Sequence, residues 1–170
     1  MRDIRKSPAL ETDEIDYSGR PFDYHYAGTS TAMICDHSPE VREKIRDAML
    51  SLDFNVIEPA TVQEAIKYIV FHNFNVIIVN ENFDREHDGC NYLIEYLNSL
   101  PIPVRRKIYI ILISSTFATM DYMNTLNKSV NLIIHEEDIA EAGLIIKQEM
   151  TENDYFYHIF LRIQEEEGKL

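Results

Sequence analysis

The chain is punctuated by short, almost wholly apolar runs, and the stretches between them carry apolar residues at helical spacing. The short runs are Ala32-Met33-Ile34-Cys35, Phe54-Asn55-Val56-Ile57, Asn75 to Asn80, Lys107 to Ser114 and Asn131-Leu132-Ile133-Ile134. Near-continuous apolar runs are what strands buried on both faces require, and such strands belong to parallel sheets. Val41, Ile45, Ala48, Met49 and Leu52 form one helical stripe, and Val62, Ala65, Ile66, Ile69 and Val70 a second. Tyr92, Leu93, Tyr96, Leu97 and Leu100 form a third. A less hydrophobic helix covers residues 119–128, and Ile139, Ala142, Ile146 and Met150 mark a fifth. Ser38, followed by Pro39, and Thr61 stand where helix N-caps belong. Five strands alternating with five helices predict an α/β fold, a doubly wound parallel sheet covered on both faces.

Two regions fall outside this alternation. Residues 1–30 are polar, carry Pro8, Gly19, Pro21 and Gly28, and show no sustained period, which predicts a flexible or partly docked leader. Its aromatic residues Phe22, Tyr24 and Tyr26 could pin the leader's end onto the domain, and their alternation hints at a short edge strand. Beyond residue 150, Phe156, Ile159, Phe160 and Ile163 repeat at i, i+3, i+4 and i+7. That spacing predicts an additional amphipathic helix ending near Gly168. Its apolar face either packs on its own domain, over the leader for instance, or meets a partner or a second copy. The expected organisation is a leader 1–30, an α/β domain 31–150 and a helical extension 151–170.

Charge and composition narrow the functions. With 29 acidic against 16 basic residues the net charge is −13. Such a surface repels phosphate backbones and anionic membranes, so neither nucleic acid nor membrane is an expected partner. The one basic run, Val104-Arg105-Arg106-Lys107, reads as a solvated strand entrance. Cys35 and Cys90 lie far apart and outside any C-x-x-C pair, which excludes a zinc ribbon within this chain and fits a reducing cytoplasm. Cys35 itself reads as a small core residue. No signal peptide and no run near the ~20 apolar residues of a membrane helix is present, so a cytoplasmic location is expected. No G-x-G-x-x-G follows the first strand, which argues against a dinucleotide enzyme.

Doubly wound sheets bind ligands beyond the carboxyl ends of their strands. Those ends are Asp36-His37, Asn80-Glu81, Ser114-Ser115 and His135-Glu136. The stretch Ile34-Cys35-Asp36-His37-Ser38-Pro39-Glu40-Val41-Arg42, with the spacing to the third strand, to Ser114 and to His135, resembles a response-regulator receiver domain over about residues 31–150. The resemblance implies a flavodoxin-like sheet of order 2-1-3-4-5, here with an extra C-terminal helix, and a place in two-component signalling. Receivers accept a phosphoryl group from a histidine kinase on an aspartate. Mg²⁺ is held there by that aspartate and an acidic residue after the first strand, while a Ser or Thr and a Lys grip the phosphoryl oxygens.

Compared position by position, the chain departs from that pattern. Asp36 matches the first acidic residue, but His37 replaces the second. Asn80 replaces the phosphoacceptor, and Ser114, or Ser115 if the strand ends one residue later, keeps the hydroxyl. His135 stands in place of the lysine, and Glu136 in place of the proline that often follows it. A neutral amide is a poor nucleophile and offers Mg²⁺ no charge. Glu81 is expected to point to the opposite face from Asn80, and Asp84 and Asp88 read as caps or turn residues.

The expected function is therefore that of a phosphorylation-independent pseudo-receiver, not an enzyme, with a degenerate cleft of Asp36, His37, Asn80, Ser114 and His135 and no cofactor or metal. It would act through a protein partner or a homodimer. The expected surface is the face of the fourth helix, fifth strand and fifth helix, through which receivers commonly dimerise or bind effectors, or else the C-terminal helix. The alternative is a rebuilt cleft made of the same five residues. It would sense a ligand, hold a transition metal through Asp36, His37 and His135, or accept a phosphoryl group by another route. A second resemblance rests on Pro101-Ile102-Pro103-Val104-Arg105-Arg106, Thr119-Met120-Asp121, Ser129-Val130-Asn131-Leu132 and Phe156-Tyr157-His158-Ile159-Phe160. These segments are similar to receiver-like proteins of sulfur- and metal-reducing deltaproteobacteria, many of which carry an N-terminal zinc ribbon. This chain has no such cysteine quartet, so the likeness implies architecture and no activity.

Overall fold

The computed structural model describes residues 30–84 and 91–166. Residues 1–29 of the leader, Asp88, Cys90 and the end near Gly168 lie outside the described residues, as does the side chain of Phe160, while Ser30 opens the first strand. The strands are β1 (Ser30–Cys35), β2 (Phe54–Ile57), β3 (Val76–Asn80), β4 (Tyr109–Ser114) and β5 (Leu132–His135). They form one parallel sheet of order β2-β1-β3-β4-β5, the order expected from the sequence. The helices are α1 (Pro39–Ser51), α2 (Val62–Phe71), α3 (Tyr92–Ser99), α4 (Ile102–Arg105), α5 (Tyr122–Lys128) and α6 (Ala142–Glu166), with a 3₁₀ turn at Glu136–Glu141.

Alternation along each strand splits the core in two. Ala32, Ile34, Val76, Ile78, Tyr109, Ile111, Ile113, Leu132 and Ile134 face α1 and α6, where they meet Ile45, Met49, Ala142 and Ile146. Met33, Cys35, Ile77, Val79, Ile110, Leu112 and Ile133 face α2 and α3 and pack on Val62, Ala65, Leu93 and Leu97. Each fully buried Ile or Leu of this kind contributes about 1.5–3 kcal/mol of transfer free energy. Helix α6 lies close on α1, since a Cβ at Gly143 would stand 3.2 Å from that of Ala48. The caps fall where the sequence places them. The Ser38 side chain accepts from the amide of Val41, and that of Thr61 from Glu64.

Three details differ from the sequence reading. Residues 102–105 make a single helical turn where a strand entrance was expected, because Pro101 and Pro103 set φ for a helix start and not for a ladder. The fifth helix and the additional C-terminal helix are one continuous α6, since no Gly or Pro interrupts the chain between Met150 and Phe156. Finally, Tyr92 and Val70 are exposed and Tyr96 half-buried, so these stripes bury a narrower face than their apolar content implied.

Candidate functional site

Strand alternation also divides the carboxyl edge of the sheet. Asp36 and Asn80 continue the parity of Ile34 and Ile78 and so stand on the α1/α6 side. Ser114 continues the parity of Leu112, on the α2/α3 side. All three are buried.

On the first side, Asn80 is the centre of a closed network. Its Nδ2 donates to Asp36 Oδ2 at 2.8 Å and to Glu136 Oε1 at 3.2 Å. Its Oδ1 accepts from the Asn82 amide at 2.9 Å. A backbone N–H can only donate, so the Asn82 contact fixes which end of the Asn80 amide is which and aims both N–H bonds at carboxylates. The other oxygen of Asp36 accepts from the Ser38 amide at 2.7 Å. Asn91 Nδ2 donates to the Asn80 carbonyl at 3.1 Å and to that of Glu81 at 3.2 Å, tying the start of α3 to the end of β3.

On the second side, Glu81 takes up the hydroxyl expected to serve phosphoryl transfer. Ser114 Oγ donates to Glu81 Oε2 at 2.8 Å, while the amide and hydroxyl of Ser115 both donate to Glu81 Oε1 at 2.8 Å. Ser114 Oγ also accepts from the amides of Thr116 and Phe117 at 3.0 and 3.1 Å. Glu81 thus stands apart from Asn80 and beside Ser114, as alternation from Val79 places it.

The two histidines are turned to other tasks. His37 stacks on Phe83 with ring centroids 4.8 Å apart, and its Nε2 accepts from the Asp84 amide at 3.1 Å. His135 Nδ1 accepts from the Glu137 amide at 3.2 Å, and its Nε2 lies 3.2 Å from the Ser115 carbonyl, the pattern of the Nε2–H tautomer. Three of the four ring nitrogens are therefore spent on backbone groups. Among the described residues no group of three His, Cys, Asp or Glu side chains is placed to hold a metal. Nor do the residues of the cleft fit Mg²⁺. The Asn80 N–H bonds point at the very carboxylate oxygens that a cation would need, and His37 offers no carboxylate beside them. Burial pushes the Cys35 thiol far above the ordinary range, with the Asp36 charge adding to the shift, as suits a core residue and not a nucleophile.

The structure thus joins Asp36 to Asn80, sets Ser114 on the other side of the cleft, and leaves His37 and His135 as flanking supports. The sequence alone gives Glu81 no partner and marks Glu136 only as a residue in place of a proline. The signal for Glu81 was present: an acid one residue past a strand end shares its parity with the residue before that end. Asp84, read from the sequence as a cap or turn residue, does act as a cap, since its Oδ2 accepts from Val62 N at 3.0 Å at the start of α2.

No family model matches the chain, and no curated protein is detectably similar in sequence. Solved structures do match. A response regulator from Thermotoga maritima superposes with a TM-score of 0.56 at 18% identity, covering 72% of this chain and 98% of that one. A putative response regulator from Chloroflexus aurantiacus gives 0.58 at 14%, covering 72% and 98%. The chemotaxis response regulator CheY4 of Vibrio cholerae gives 0.55 at 15%, covering 71% and 97%. At these identities the likeness is one of fold, and the fold is that of a receiver.

Proposed function

We propose that the chain is a phosphorylation-independent receiver-like module of a two-component-type pathway, in which a fixed surface meets a protein partner. The observation that carries this reading is the cleft, whose polar groups are already paired with one another. The amide of Asn80 bridges two carboxylates. The Glu81 carboxylate takes the hydroxyls of Ser114 and Ser115 and one backbone amide, which are donors a bound phosphoryl group would need. A cleft satisfied from within has little to gain from a phosphoryl group, and at the end of β3, where receivers carry the phosphoryl group on an aspartate, it has Asn80.

The face predicted from the fourth helix, fifth strand and fifth helix corresponds here to α5, β5 and α6. Exposed Tyr122, Met123 and Leu126 on α5 and Leu144 on α6 support it as the partner surface. The kinship with deltaproteobacterial receiver-like proteins belongs to the same proposal and carries architecture alone. Incubation with acetyl phosphate and Mg²⁺, followed by intact-mass measurement, tests the reading. The expected product is unmodified protein, and a stoichiometric phosphoprotein would overturn it.

A further inference from the structure

At the opposite, amino edge of the sheet the described residues leave two matched features uncovered. Helix α6 is 25 residues long, about 37 Å, whereas the six residues of β4 span about 20 Å. Tyr157 of α6 lines a cavity with Arg105 and Asn131, which lie just before β4 and β5, so the helix is at the amino edge there and its remaining residues run about 13 Å farther. Along this end of the helix Tyr155 and Phe156 are 74% and 70% exposed, and Ile159 and Ile163 about half exposed. Apolar residues at this spacing form a stripe that helices normally bury.

Beside it lies that cavity, of about 330 Å³, lined by Asn98, Arg105, Arg106, Ser129, Asn131 and Tyr157. Two of these are cationic and none is acidic. Arg105 is half-buried, and its partners are uncharged: the carbonyls of Ile108 at 3.0 Å and Ser129 at 2.6 Å, and the Asn131 amide oxygen at 3.4 Å. Among the described residues no carboxylate lies within ion-pairing distance of Arg105. In a chain of net charge −13, a half-buried Arg105 guanidinium with no carboxylate beside it among the described residues is a place for a counter-charge.

We propose that residues 1–29 of the same chain dock on this edge, with the acidic stretch at Glu11–Asp16 against the arginine cavity and the Phe22–Tyr26 stretch against the projecting face of α6. The strands are parallel, so Ser30, where the leader joins β1, stands on this same edge. Phe22, Tyr24 and Tyr26 lie four to eight residues before Ser30, a reach of up to about 27 Å. The start of β4 is two strand spacings from β1, about 10 Å. Glu11, Asp13, Glu14 and Asp16 form a stretch of four acids with no base. A second copy is the weaker fit, because two chains of −13 repel. A tethered segment is held at millimolar effective concentration whatever the protein concentration.

Photocrosslinking of the full chain decides the matter. With benzoylphenylalanine in place of Ile159, crosslinks are expected to fall on residues 1–29 of the same molecule. Their yield should not depend on dilution, and mixtures of isotope-labelled and unlabelled protein should give no hybrid products. Reversing Glu11, Asp13, Glu14 and Asp16 to lysine should lower that yield at least about fivefold while the helical signal of the domain is unchanged. Hybrid crosslinks between copies, no crosslink to the leader, or a yield indifferent to the charge reversal would each overturn the proposal.

Discussion

The two edges of this sheet are built on opposite terms. At the carboxyl edge Asp36, Asn80, Glu81, Ser114 and Glu136 satisfy one another, so that acids which would otherwise repel are held together by amide and hydroxyl donors. At the amino edge, among the described residues, an apolar helix face and an arginine cavity face outward. In receivers the carboxyl edge carries the chemistry. Here the polar groups of that edge are paired with one another, and the proposed binding surfaces lie elsewhere on the molecule. The contrast turns on one atom group, the Asn80 amide. It supplies two N–H donors where an aspartate would supply none, and so takes the role that a cation plays between acids.

The strongest way to break this contrast is to restore the acid. Asn80→Asp sets a third carboxylate between Asp36 and Glu136, and should cost about 2–4 kcal/mol of stability near neutral pH without divalent cation. Millimolar Mg²⁺ should recover much of that loss, as urea unfolding would report. An unchanged midpoint would mean that the bridge contributes nothing. A milder break is Glu81→Ala. It frees the hydroxyls of Ser114 and Ser115 and should cost about 1–2 kcal/mol. Hydrogen exchange should then speed up at Ser115–Phe117 while β3 and β4 stay protected.

The smallest effect sharpens the other edge. Burial, and then the neighbouring charge of Glu152, raise the Glu149 carboxyl above its ordinary 4.5. The folded chain therefore binds that proton more readily than the unfolded one, and stability falls as pH rises through the interval just above the ordinary value. Glu149→Gln should raise the melting temperature by about 1–3 °C near pH 7 and leave it unchanged near pH 4, by calorimetry across pH. A gain of equal size at both pH values would point to packing and not to charge.

Much of the fold was legible because it rests on local rules. Continuous apolar runs marked all five strands, and Ser38 and Thr61 announced their helices through the same hydroxyls that cap them. The members of the cleft were legible by position, but their pairings were not. Which long side chain reaches which donor depends on strand parity and on the distance between strand ends, and Glu81 and Glu136 acquire partners only once β3, β4 and β5 are set side by side. Arg105 was misread for a related reason. Its charge suggested solvent, whereas the proline-set turn of α4 points the guanidinium back at the carbonyls that open β4 and β5. Likewise, periodicity alone could not tell two helices from one where no breaker stands between them.

Titrating Mg²⁺ into the isotope-labelled chain and into Asn80→Asp, while following backbone amide resonances, tests most directly whether the Asn80 amide stands where a cation would. No saturable movement is expected at Asp36, Asn80 or Glu136 in the natural sequence, and saturable movement is expected at those positions in the variant. Saturable movement at the cleft of the natural chain would contradict that expectation.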